Sequence, residues 1–174
     1  NLGNMPDPGE WSVVVSDENV FFRVQEWASA RGVVIEASRP QQENENLGDM
    51  SLSRDGRVVA FRRGGGGTGI ENQIFVRDLD SGTEVLASGA PDGSFGNGGA
   101  DEPEISANGR RVVFATAATN LDTHGVPGVF VFDRDSETVT RLDLSLQGEP
   151  PDGQREGHGS LSADGSLVAF SHYA

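Results

Sequence analysis

The chain contains no cysteine and no lysine, and only 7% of its residues are aromatic. The first absence excludes a disulfide framework, a thiolate nucleophile and any cysteine-ligated metal, and leaves the redox compartment open. The second makes all 13 basic residues arginine, against 27 acidic ones, for a net charge of −14. Such a balance argues against nucleic acid or an anionic membrane surface as partner. Arginine without lysine reads as codon use in a GC-rich genome, or as an acidic surface adapted to high salt. No window offers 18 consecutive apolar residues, so no membrane span is expected. No cationic, apolar signal segment opens the chain. Its first residue, Asn1, is expected to mark a boundary left by processing or by excision from a longer chain.

What is abundant is glycine, at 24 residues, in a chain about one-third apolar. That composition suits many short strands joined by turns. The decisive pattern is an internal repeat. "SLSRDGRVVAF" (51–61), "EISANGRRVVF" (104–114) and "SLSADGSLVAF" (160–170) share a serine at Ser53, Ser106 and Ser162. Each serine precedes a turn dipeptide, Asp55-Gly56, Asn108-Gly109 or Asp164-Gly165, and then an apolar run. The motif therefore predicts strand, tight turn, strand. The second strand is apolar at odd and even positions alike, as in a sheet packed on both faces. A second pattern recurs as "NQIFVRDLDSGTEVLAS" (72–88) and "PGVFVFDRDSETVTRLD" (127–143), each a strand, a polar turn and a strand.

One unit is thus four antiparallel strands, A to D. The second unit spans 50–88 (A 50–53, B 57–62, C 73–79, D 83–88). The third spans 103–144 (A 103–106, B 110–116, C 128–134, D 138–144). The chain closes with A and B only, at 159–162 and 166–172. "WSVVV" (11–15), "VFFRVQEW" (20–27) and "GVVIEAS" (32–38) read as B, C and D of a partial first unit, 11–38. Thirteen strands are expected, no helix, and a polar loop at 39–49.

The pairing of "SxDGxxVAF" with "xIFVxDxxxG" resembles the TolB-like, or WD-repeat-like, β-propeller repeat of bacterial proteins. Residues 115–142 are similar to one bacterial subgroup of it. The resemblance implies an all-β fold, a partial β-propeller of four-stranded blades forming a single segment over 1–174. It also implies a periplasmic or secreted location. About three and a quarter blades do not close a ring, so two expectations stand side by side: the remainder of a longer chain, or a homodimer that completes the ring.

In such propellers strand A lines the central channel, and equivalent positions of successive blades converge at its mouth. Asp49, Glu102 and His158 stand four residues before the repeated serines, and Ser51 and Glu104 stand two before them. These five are the candidate ligand-binding residues, with a polar ligand or a cation as the occupant. Ordinary wet polarity of a channel mouth is the alternative. In the subgroup resembled, the B-to-C loop often reads Asp-x-Asn-Gly-x-x-Asp, suited to calcium. Here it reads "DTHGVPG", with Asp122 and His124 as the remaining candidate metal ligands; two likely oxygen donors are replaced. No cofactor is expected, with calcium or another divalent cation as the alternative. "GHGS" (157–160) reads as a turn rather than a Ser–His dyad, and "GGGGTG" (64–69) as a hairpin loop rather than a phosphate loop. Trp11 and Trp27 read as blade packing, with a sugar platform as the alternative.

The expected function is a non-catalytic binding or interaction module for a protein or small polar ligand. Its recognition surface would be the face carrying the long loops 63–72, 89–102, 117–127 and 146–158. The rival is a propeller enzyme, or a domain beside one, using Asp49, Glu102 and His158.

Overall fold

The computed structural model describes residues 22–25, 34–38, 45–65, 71–151 and 159–171. Those residues form twelve strands and no helix. β1 (Phe22–Gln25) and β2 (Val34–Ser38) make an antiparallel pair, where the first unit's C and D were expected. The expected strand at 11–15 lies outside the described residues. β3 (Glu45–Leu52), β4 (Val58–Gly65), β5 (Gln73–Asp78) and β6 (Glu84–Leu86) form one four-stranded sheet in chain order. β7 (Ala100–Ile105), β8 (Arg111–Thr116), β9 (Gly128–Asp133) and β10 (Thr138–Arg141) form a second with the same order. β11 (Gly159–Leu161) and β12 (Val168–Phe170) form the last pair.

The repeated hairpin is locked identically three times. The hydroxyls of Ser53, Ser106 and Ser162 donate to Asp55, Asn108 and Asp164 at 2.6, 2.7 and 2.7 Å. The same hydroxyls accept the N–H of Val58, Arg111 and Leu167 at 3.0, 3.0 and 2.9 Å. Gly56, Gly109 and Gly165 follow with φ of 72°, 71° and 70°, a left-handed conformation that costs glycine nothing. The Ser-x-Asp/Asn-Gly signature is therefore a turn with its own internal clamp.

Two strands start earlier than the sequence predicts. β3 begins at Glu45, inside the stretch 39–49 read as a loop, and β7 begins at Ala100 rather than 103. In both, the register against the next strand shifts, between Gly48 and Met50 and between Asp101 and Glu104. Such a bulge absorbs the extra chain length and lets a polar stretch go on pairing beyond it.

The apolar runs do face two ways. Val58, Ala60, Ile74 and Val76 of the β3–β6 sheet pack against Val112, Phe114, Phe130 and Phe132 of the next sheet, and all are buried. The opposite face of the first sheet carries Val59, Phe61 and Phe75. The equivalent rings stack in each sheet, Phe61 on Phe75 at 6.0 Å and Phe114 on Phe130 at 6.2 Å. Burying each such ring stabilises the stack by about 1.5–3 kcal/mol. The first strands β3, β7 and β11 lie against one another in succession, as the narrow inner ends of blades do.

Candidate functional site

An open groove of about 680 Å³ runs along these inner strands. Met50, Ser51 and Leu52 line it from β3, Glu102, Pro103, Glu104 and Ile105 from β7, and Gly159, Ser160 and Leu161 from β11. The repeat thus brings three of the five candidate channel residues, Ser51, Glu102 and Glu104, into one concavity.

Asp49 and Glu102 occupy the same position of the repeat and the same backbone feature. Each lies in the bulge of its strand, and each has positive φ, 38° and 56°, without being glycine. A left-handed side-chain-bearing residue costs about 1–3 kcal/mol. Bulges also turn a side chain away from the alternation of its strand. Asp49 itself accepts a hydrogen bond from Arg62 Nε at 2.6 Å. The same guanidinium stands 3.7 Å from Asp101, which also accepts from Asn72 Nδ2 at 3.3 Å.

Ser51 and Glu104 join the blades. Ser51 Oγ accepts the N–H of Ile105 at 3.0 Å. One unit later, Glu104 Oε1 accepts the N–H of Leu161 at 3.3 Å and the Ser160 hydroxyl at 3.0 Å. Equivalent positions make equivalent bonds from each blade to the next. His158 lies outside the described residues, as do Trp11 and Trp27.

The loops at the end where β7 begins and β8 finishes are tied together. Asn97 Nδ2 donates to Thr119 Oγ1 at 2.9 Å, and its carbonyl accepts the Thr119 N–H at 2.7 Å. Asn120 accepts the Asn97 N–H at 2.9 Å. Buried Gln73 donates to the carbonyl of Gly96 at 3.1 Å. The 89–99 and 117–121 segments therefore form one continuous surface rather than two separate flaps.

Asp122 and His124 are brought together, His124 Nδ1 standing 3.0 Å from Asp122 Oδ2 and Nε2 3.2 Å from the Gly148 carbonyl. Sequence reasoning missed their main partner. Arg141, with a side chain 3% exposed, donates from Nε to Asp122 at 2.6 Å and from Nη1 to Asp143 at 2.9 Å. It also donates to the carbonyls of Pro127, at 3.1 Å, and Val126. Its guanidinium lies over the Phe130 ring, 4.7 Å from the centroid. Burial pushes the Asp122 carboxyl up, but the hydrogen bonds from Arg141 and His124 outweigh it and hold it below its ordinary value. The signal available in the sequence was an arginine ending the strand "TVTR" with Asp143 two residues on; nothing local linked it to Asp122. Among the described residues, no group of three or more His, Asp or Glu side chains is placed to hold a metal.

Fold and repeat together define a class: part of a β-propeller, built of four-stranded antiparallel blades. Solved structures similar to the chain bear this out. They include the tricorn protease, 13% identical over 95% of this chain and 15% of that chain, with a TM-score of 0.53. The β-propeller domain of the Trilobed protease from Pyrococcus furiosus is 16% identical over 80% of this chain and 37% of that one, TM-score 0.51. TolB from Acinetobacter baumannii is also similar, 20% identical over 88% of this chain and 35% of that one, but its TM-score of 0.48 adds nothing to that argument. Identity this low speaks for the fold alone. The chain spans 15 to 37% of the length of these three solved chains. No family model matches the chain, and no curated protein does. No helix among the described residues is long and apolar enough to cross a membrane.

Proposed function

We propose that the chain is a propeller segment acting as a non-catalytic binding module, which receives a protein segment or a small polar ligand at the inner-strand groove. The observation that carries this reading is the groove itself. It is lined by three successive blades and holds Ser51, Glu102 and Glu104. Glu102 there keeps a left-handed backbone that glycine would adopt more cheaply. The knitted 89–99 and 117–121 segments supply a firm surface beside the blades, which favours recognition over a mobile lid. With a net charge of −14, nucleic acid is a poor partner. The repeat's resemblance adds a periplasmic or secreted setting to the proposal. It also adds either a second copy or the rest of a longer chain as what completes the ring.

A thermal-shift screen of sugars, short peptides and divalent cations tests this, run on the parent and on Glu102→Gln and Glu104→Gln. A ligand that raises the parent's midpoint but neither variant's supports the groove. Stabilisation that survives both substitutions puts the site elsewhere. Turnover of a bound ligand, lost in Glu102→Gln, would make the chain part of an enzyme.

A further inference from the structure

The loop between β8 and β9 and the segment just after β10 gather oxygen atoms round a single cation. Two carboxylates, Asp122 and Asp143, and two carbonyls, Val126 and Pro127, surround it. That cation is the chain's own, the guanidinium of Arg141. We propose that Arg141 is the built-in cation of this loop, doing the electrostatic work of a divalent metal, and that the loop holds its shape without one. The proposal is independent of the binding role argued above.

Three observations carry it. First, the group is buried: the side chains of Arg141 and Asp143 are each 3% exposed. A buried guanidinium needs its charge and its donors matched, and here three of its nitrogens have oxygen partners. Second, the flat fork suits the cage. Nε and Nη1 address two different carboxylates, and the guanidinium also lies over Phe130. A spherical ion would use the same oxygens and cannot coexist with the guanidinium, while four protein oxygens fall short of the six to eight that calcium prefers. Third, the backbone makes room for it. A Cβ at Gly128 would collide with Arg141 Nη1, and would lie 2.7 Å from the guanidinium carbon and 2.8 Å from Asp143 Oδ2. His124 completes the arrangement by linking Asp122 to the Gly148 carbonyl, so the cage also fastens the segment after β10.

What marks this loop is not its number of acidic residues but the positive charge already seated between two of them. Removing that charge leaves two carboxylates without their shared counterion, Asp143 buried and Asp122 largely so. A divalent cation is then the natural replacement.

The test compares the parent, Arg141→Ala, Arg141→Lys and Asp122→Asn, with calcium alone as the probe. The parent's unfolding midpoint is expected to be the same in EDTA and in millimolar calcium. Arg141→Ala should lower the midpoint by about 5 °C or more, and calcium should restore part of that loss. Arg141→Lys keeps the charge but not the fork. It should fall between the two and ignore calcium. Calcium that stabilises the parent, with the effect abolished by Asp122→Asn, overturns the proposal. So does an Arg141→Ala protein that is as stable as the parent, or one whose loss calcium leaves untouched. If Arg141→Ala does not fold, calorimetry on the parent decides. Heat on adding calcium that Asp122→Asn removes sinks the idea, and absence of heat, with Asp122→Asn destabilised, upholds it.

Discussion

β4, β8 and β12 are written with nearly the same residues and live in different surroundings. Val59 and Val112 are 1% and 0% exposed, and Phe61 and Phe114 are fully buried. Their counterpart Phe170 is 37% exposed, and Leu167, where Val58 stands in the first copy at 5%, is 71% exposed. β4 and β8 each pair on both edges, whereas β12 pairs with β11 alone among the described residues. The comparison separates what a motif does by itself from what its neighbours do for it. The turn is equally well formed in all three copies, because its bonds run within seven residues. Burial is not repeated, because it belongs to the sheet alongside.

The sharpest way to break the equivalence is at the phenylalanine. Phe114→Ala should cost about 3–5 kcal/mol of folding free energy, and Phe170→Ala less than about 1 kcal/mol, by denaturant titration. Equal losses would mean that β12 is covered in solution. Next comes the clamp. Ser106→Ala removes a buried hydroxyl that serves both Asn108 and the Arg111 N–H and should cost about 1–2 kcal/mol. Ser162→Ala, in a more exposed turn, should cost about half that or less.

A glycine pair tests the opposite expectation, that one end of the third copy is as well packed as the second. A Cβ at Gly109 would lie 3.1 Å from a Val58 methyl, and one at Gly165 3.2 Å from Ser106 Cβ. Gly109→Ala and Gly165→Ala should therefore lose similar amounts, about 1–2 kcal/mol. A much cheaper Gly165→Ala would show the last hairpin to be loosely seated on the blade before it.

The smallest effect is in acid. The Arg110 hydrogen bond, with Arg111 beside it, holds the Asp133 carboxyl at about 2. The Ser166 N–H, aided by the hydroxyls of Ser162 and Ser166, holds Asp164 at about 2 as well. Both folded values lie below the ordinary value near 3.9. Their stabilisation is thus complete above about pH 4 and fades as pH falls towards 2. Asp133→Asn should flatten the stability–pH curve across that window. Asp164→Asn should flatten it less and leave the turn intact, since Asn108 already plays that part in the second copy.

The same contrast between local and distant causes explains which features could be read in advance. The hairpins and the two-faced apolar strands were legible, since Ser, Asp or Asn, Gly and the apolar runs act on their immediate neighbours. The early starts of β3 and β7 were not. Nothing in "ENLGD" or "GGADEPE" announces a bulge, and the residues that take positive φ, Asp49 and Glu102, are carboxylates where glycine would have been the signal. Arg63 and Arg141 show the limit more plainly. They set a guanidinium over the equivalent rings Phe75 and Phe130, at 3.8 and 4.7 Å, but reach them from different strands, β4 and β10. Each charge is balanced by its own partner, Glu84 for Arg63 and the Asp122–Asp143 pair for Arg141. No alignment of the two units would have matched them.

The order of residues alone determined the strand count of a blade, the three identical turns, the all-β class and the absence of thiol chemistry. These follow from short-range bonding and from composition. Tertiary structure decided which copies are buried, where the inner strands meet to form a groove, and that Asp122 faces an arginine 19 residues away. Those outcomes depend on which blade packs beside which, and a linear pattern carries no record of its neighbours across the sheet.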